Sequence, residues 1–588
     1  SNLILSLITS LFIIFVSAGP SRFHFSKPEN YISMYHPEGT DTLYVGGQAS
    51  IYVLNFTDYG VSNLQIPAAS DETAKNTCRA KAAPLELECD NFITVIQKVN
   101  DTFIVCGTNA GSPRCWMLGN FRIASASDIS PAYPSQKSIS VATGNLYSAL
   151  SSVGGHAGSI RRTFGSQKLL KTENIWLMNP QFAGAAMIPT SFRDKEEMYF
   201  FFSEFNKTAR VDEEPYRARI GRVCMVDEGG VKPILADSWT TFLKARVMCG
   251  AGNTQQQYNN LKQAVVLTAQ DKRAGVLYGL FSNAWGKTVI CAYSIEDIDQ
   301  AFSTSKLKGY SSPLTGVRPG MCVRKNSSGS HNDIKNLGVI RYHPEIEDVI
   351  RPVGIAPLDL PTEDQINHAV ADIVLAVNDE HYSVLYLGTE QGKVLKVLHT
   401  SNGAFIISQY SLFHNESPIL NMAIDSQKGH LYVGTAMEVQ RLTLADCGRY
   451  GDTCRECILS RDPYCGWDRL KRKSLKLRKT SPKEVVVPRN TTVFLPCPVR
   501  SFHAMYRWER DNCVLNYPCL FSGDFCVLGP AVDTPLKEGV FRCMATEDGF
   551  KVEVISFRLV NQGPLFAASV LCTLGLSLLL AVATLWLH

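Results

Sequence analysis

Residues 384–397 read VLYLGTEQGKVLKV. A run of branched and aromatic residues meets a Gly-containing turn, and a second run then resumes the alternation of a strand. That is a hairpin: glycine supplies the turn, and the two-residue period decides which face is buried. The phrase returns as LYVGGQASIYVLNF (43–56), FIVCGTNAGSPRCWML (103–118), VLYGLFSN (276–283) and LYVGTAMEVQRLTL (431–444), with a weaker echo, MYFFFSEF, at 198–205. Helical periodicity is scarce, SWTTFLKARVMC (238–249) being one of few candidates. Hairpins at intervals of tens of residues predict an all-β chain dominated by a β-propeller, each blade burying its faces on its neighbours. Roughly 420 residues at about 60 per unit give about seven blades. An irregular pair of β-sandwiches is the alternative that the pattern leaves open.

The chain has 588 residues, 45% of them hydrophobic and 19% charged, with a net charge of +4. So small an excess does not argue for nucleic acid or another polyanion as partner. The apolar run Leu3–Val16 followed by Val16-Ser17-Ala18 reads as a secretory signal peptide (residues 1–18), without the Met and basic residues that usually open one. At the other end, residues 564–588 form an uncharged apolar tail. A membrane-spanning segment normally carries Lys or Arg on its cytoplasmic side. An apolar tail behind a signal peptide instead predicts a GPI-attachment signal, with a tail-less span as the alternative. Eighteen cysteines and six Asn-x-Ser/Thr sequons, at Asn55, Asn100, Asn206, Asn326, Asn415 and Asn490, agree with an oxidising, extracellular setting.

After residue 445 the character changes. Residues 452–468, DTCRECILSRDPYCGWD, set Cys454 and Cys457 in a C-x-x-C spacing between Cys447 and Cys465. Zinc would need two further ligands, and no His lies between His430 and His503. Thiol–disulfide exchange would need a βαβ scaffold, which is not legible here. An oxidised knot fits the secretory setting. The basic run 469–483 carries eight Lys/Arg and reads as a solvated linker, a heparan sulfate attractor or a protease site at Arg469 and Arg472. Farther on, Cys497, Trp508 and Cys543 have the spacing of an immunoglobulin core, with Phe541 where that fold usually places its corner tyrosine.

Together these phrases resemble the semaphorin family, most of all its GPI-anchored class seven members. The resemblance rests on CDNFITVIQKVNDTFIVCGTNAGSPRC (89–115), RIGRVCMVDEGG (219–230), WTTFLKARVMC (239–249), VLYLGTEQGKVLKV and CRECILSRDPYCGWD, in that order. It implies a seven-bladed sema β-propeller (22–445), a small Cys-rich plexin–semaphorin–integrin (PSI) module with a basic linker (446–483), and an Ig-like β-sandwich (484–560). It also implies the disulfides Cys78–Cys89, Cys106–Cys115, Cys224–Cys322, Cys249–Cys291, Cys447–Cys465 and Cys497–Cys543. Partners for Cys454, Cys457, Cys513, Cys519 and Cys526 are not implied, and the PSI module looks truncated.

The activity implied is that of a cell-surface ligand. Such a ligand dimerises through its propeller and binds a plexin receptor, class C for this type, with integrins as further partners in axon guidance, cell migration and immune regulation. No residue can be assigned to the receptor face, because loops build it. The Arg-Gly-Asp tripeptide associated with integrin binding is replaced by Arg273-Ala274-Gly275, which removes the carboxylate that ligates an integrin's metal. Weak or no tripeptide-dependent integrin binding is therefore expected. Rival readings are an adhesion or scaffold glycoprotein and a propeller glycosidase, though no S-x-D-x-G-x-x-W box or placeable acid/base pair is present. His156, in SSVGGHAGS, reads as a loop residue. No catalytic residue, metal or cofactor is expected.

Overall fold

The computed structural model describes residues 21–57, 60–80, 89–118, 123–152, 158–188, 196–206, 215–232, 234–250, 258–268, 275–314, 317–322, 334–354, 356–376, 378, 380–413, 417–451, 453–466, 483–487, 493–510, 513–514, 519–529, 536, 538–547 and 550–561. It divides into two compact units, one reaching Gly451 and including Arg461–Gly466, the other made of Asp452–Ser460 and the remainder.

Among the described residues the first unit holds seven sheets. Their inner strands are Ser33–Tyr35, Ile93–Val99, Ser138–Thr143, Gln181–Ile188, Asn260–Leu267, Ile366–Leu375 and Asn421–Asp425. Each packs beside the next, and the last packs beside the first, so the sheets close a ring. Side chains stitch neighbouring sheets where no strand ladder runs: Gln263 Nε2 donates to the Ala369 carbonyl at 3.0 Å, and Ala369 N donates back to Gln263 Oε1 at 2.7 Å. The ring is sealed by Arg22–His24, which pairs with Glu438–Gln440 as the outer strand of the seventh sheet.

The hairpin quoted first lies in the sixth sheet, as strands His381–Thr389 and Lys393–Thr400. Its turn requires Gly392: φ is +74°, and a Cβ there would come within 2.7 Å of the Ser417 carbonyl. Middle strands are covered on both faces, so Asn145–Leu150 is buried throughout and Glu197–Phe205 almost throughout. That explains why MYFFFSEF shows no alternation. The stretch 238–249, one of few helix candidates in the sequence, is instead built around a strand, Leu243–Val247.

The fifth sheet departs from the simple pattern. The fourth and fifth inner strands lead separate sheets, but the chain leaving strand Thr288–Ser294 does not add an outer strand to its own three-stranded sheet. It forms helices Ile295–Thr304 and Ile334–Tyr342, then returns to the preceding sheet as Glu345–Ile350, parallel to Leu243–Val247.

The second unit contains two sheets among its described residues. Lys483–Val487, Phe550–Asn561, Gly539–Glu547, Met505–Arg510 and Cys513–Val514 form one; Leu495–Pro498, Phe525–Leu528 and Leu520–Ser522 form the other. Trp508 is fully buried beside the Cys497–Cys543 bridge. A short helix, Cys454–Leu459, begins with a Thr453/Glu456 capping box, and Glu456 pairs with Arg500.

Candidate functional site

Two constellations of buried charge in the first unit define its rigid parts. The first clamps the returning segment. Arg219 Nε meets Glu204 Oε2 at 3.0 Å, and its Nη1 meets Glu345 Oε1 at 2.9 Å. Lys244 Nζ lies 2.8 Å from Glu204 Oε1 and donates to the Trp176 carbonyl at 2.8 Å. Burial lowers the Lys244 pKa, with Glu204 opposing. Next to it Arg222, fully buried, reaches Glu197 Oε1 at 3.1 Å, donates to the Gly320 carbonyl at 2.9 Å and lies over the Phe302 ring. Cys224–Cys322 closes this corner. Glu197, Cys224 and Cys322 lie close enough to suggest a metal site, but both sulfurs are spent on the disulfide and cannot act as thiolate ligands.

Asp227, also buried, takes five hydrogen bonds, from Gly229 N, from Thr240 N and Oγ1, and from Thr241 N and Oγ1, at 2.7–3.0 Å. A carboxylate so occupied holds a loop; it does not transfer protons.

The second constellation seats the end of the Cys-rich segment on the sixth sheet. Lys396 Nζ lies 2.5 Å from Asp462 Oδ2, and neither side chain has any exposed surface. Lys396 also donates to the Leu444 carbonyl at 2.7 Å, and Tyr450 OH donates to Asp462 Oδ2 at 2.7 Å. The Tyr464 ring lies under the ammonium, and Tyr464 OH donates to Asp372. Burial lowers the Lys396 pKa, with Asp462 opposing. Cys447–Cys465 staples the same segment.

The structure joins Cys78–Cys89, Cys106–Cys115, Cys224–Cys322, Cys249–Cys291, Cys447–Cys465 and Cys497–Cys543. It adds Cys519–Cys526, for which the sequence offered no partner rule. Cys454 is a half-buried free thiol, Cys457 is half-buried, and the Cys513 side chain lies outside the described residues.

Asn55 and Asn100 are exposed, whereas Asn206 is only 8% exposed, a poor position for a bulky solvated glycan. Asn326, Asn415, Asn490, His156, Arg273, Ala274, Arg469, Arg472 and the 564–588 tail lie outside the described residues; Gly275 is described, its carbonyl accepting from Ile295 N at 3.0 Å. Among the described residues no helix is long and apolar enough to cross a membrane.

The two charge clusters were not legible beforehand, since their members lie tens of residues apart and look like ordinary surface charges. One sequence signal was there: Lys396 sits between two Val-Leu pairs in its strand.

Family comparisons agree with this architecture. Residues 261–426 match the Sema domain, 446–475 the plexin repeat, and 479–565 the semaphorin-3/4/7A immunoglobulin-like domain. The chain is 29% identical to mouse (Mus musculus) Semaphorin-7A over 92% of its length and 86% of the relative's. It is 28% identical to human (Homo sapiens) Semaphorin-7A, over 96% and 89%. Among solved structures, Drosophila Semaphorin 2a matches with a TM-score of 0.71 at 23% identity, covering 92% of this chain and 98% of that one. A chain from Drosophila Plexin A in complex with Semaphorin 1b matches with a TM-score of 0.63 at 24% identity, covering 76% and 91%. A closed ring of sheets, a Cys-rich segment seated on it and an Ig-type sandwich are matched in that order by Sema, plexin-repeat and semaphorin Ig-like domains, the domain series of the semaphorins that this chain resembles.

Proposed function

We infer that the chain is an extracellular, membrane-anchored ligand that dimerises and binds a plexin, class C in particular, to signal between cells in axon guidance, cell migration and immune regulation. The observation that carries this reading is the likeness to Semaphorin-7A of two species over more than nine-tenths of the chain. The geometry supports it. The carboxylates of Glu204, Asp227 and Asp462 are engaged by partners within the fold, so these groups fix shape, as a protein-binding platform requires. Two ligand propellers holding two receptors together make bivalency the signal.

The same reading assigns residues 22–445 to the propeller, 446–483 to the PSI module and linker, 484–560 to the Ig-like domain, and 564–588 to a GPI-attachment signal. Arg469 and Arg472 then offer a shedding site between propeller and anchor. Integrins are at most tripeptide-independent partners.

The test is binding of a dimeric fusion of residues 19–560 to cells expressing one plexin at a time. Saturable binding to the class C receptor is expected. Binding to none of the plexins would leave the adhesion-protein reading in its place. Release of the full chain from cells by phosphatidylinositol-specific phospholipase tests the anchor separately, and retention after treatment would remove it.

A further inference from the structure

The inner strands of the ring surround a cavity of about 1130 Å³, partly open to solvent. Ser138, Asn260, Ile366 and Asn421, the first residues of four inner strands, line it, so it sits at one end of the ring. The volume exceeds what a lone ion or a small metabolite fills and suits a ligand of several rings.

The lining is charged in one sense. Lys137 and Lys262 both face the cavity, both are exposed, and neither has an ion pair among the described residues. Burial, and secondly Lys137, lowers the Lys262 pKa. The same two causes, in that order, hold His368 on the cavity wall at about 4, so this imidazole is neutral at physiological pH. Among the described lining residues Glu390 is the one carboxylate. Converging ammonium groups without matching carboxylates favour an anionic occupant.

The rest of the lining says what kind. Trp285 stands at the cavity with 92% of its surface exposed. It is not on a loose loop: Asn283 Oδ1 accepts from both Trp285 N and Lys287 N at 3.0 Å, Gly286 N donates to the Asn283 carbonyl at 3.1 Å, and Gly286 takes a φ of +82°. The turn therefore fixes the backbone beneath an uncovered indole, so that only the side chain itself is left to order when a ligand arrives. Tyr216 adds a further ring to the lining, and the Asn260 carboxamide makes no hydrogen bond among the described residues. An apolar ring face, a free carboxamide that both donates and accepts, and paired ammonium groups match the C–H face, vicinal hydroxyls and acidic substituents of a charged sugar. A compact free anion would use the lysines and leave the tryptophan unexplained.

We propose that this end of the propeller binds an acidic oligosaccharide, its pyranose rings stacked on Trp285 and its carboxylate or sulfate groups held by Lys137 and Lys262. Two sources share that chemistry, a sulfated glycosaminoglycan and a sialylated glycan. The proposal does not depend on plexin recognition and survives or fails separately from it.

The test titrates the purified full-length glycoprotein with a heparin-derived tetrasaccharide, with 3′-sialyllactose and with neutral maltotetraose, by calorimetry and tryptophan fluorescence. Saturable binding of at least one acidic probe is expected, and which one binds identifies the source. The double variant Lys137→Ser/Lys262→Ser should weaken it by about tenfold or more, and Trp285→Ser by about fivefold or more. All three side chains are exposed, so the thermal midpoint should not move. Heparin held by the basic run 469–483 instead would be indifferent to these substitutions. Absence of binding by both acidic probes, affinity unchanged in both variants, or equal binding of maltotetraose would each overturn the proposal.

Discussion

Lys396 and Asp462 face each other without any exposed surface, 2.5 Å apart, with Tyr450 and the Leu444 carbonyl completing their hydrogen bonds. A buried pair loses much of its Coulomb gain to desolvation, but removing one partner strands the other, at about 3–5 kcal/mol. Lys396→Met should therefore lower unfolding free energy by about that much, whereas Lys396→Met/Asp462→Leu should recover most of it. Chemical denaturation of the three proteins checks this. A double variant as unstable as the single would show that the pair itself carries net stability. Glu345 gives a pH signature. Burial alone would raise its pKa, but Arg219, Lys308 and Lys244 together outweigh burial and hold it below 4.5. Its stabilising contribution is therefore complete above pH 4.5 and is lost as pH falls through the lowered value. Glu345→Gln should destabilise the protein near neutrality, and its deficit against the parent should shrink below pH 4.5. A deficit constant with pH would contradict the assignment.

At the scale of elements, the hairpins were readable because each is local: a glycine turn between two β-rich runs needs no distant partner. The Ig core was readable for a related reason, since Cys497, Trp508 and Cys543 announce it by type and spacing. What could not be read was pairing across long separations. Nothing near Glu345–Ile350 says that it joins Leu243–Val247 of the preceding sheet rather than its own. The helix candidate at 238–249 is a strand for a physical reason. Trp239, Phe242, Leu243 and Ala245 are all fully buried, and a strand covered on both faces erases the period that separates strand from helix. The candidate cavity was hidden for the same reason, because its walls come from strands that meet only when the ring closes. The clamp on the returning segment can be tested through Cys224–Cys322, which closes a loop with a sequence separation of 98. Replacing both cysteines by serine should cost about 4–5 kcal/mol on the loop-entropy argument. A loss below about 1 kcal/mol would mean that the ionic cluster alone holds the segment.

At the scale of the whole molecule, the charges gathered around Glu204 and Lys396 are used within the fold, whereas Lys137 and Lys262 stay exposed. Residues 273–275 read Arg-Ala-Gly, without the aspartate of an Arg-Gly-Asp tripeptide, and this carries one prediction. Adhesion of integrin-bearing cells to the purified protein should be weak and insensitive to an Arg-Gly-Asp peptide, whereas strong adhesion abolished by that peptide would contradict it. The central claim is bivalent plexin recognition, and the most direct measurement compares monomeric and dimeric ectodomain on cells expressing the class C plexin. Both forms should bind the cells, and the dimer alone should make them collapse or round. Absence of binding by either form, or a full response to the monomer, would contradict the account.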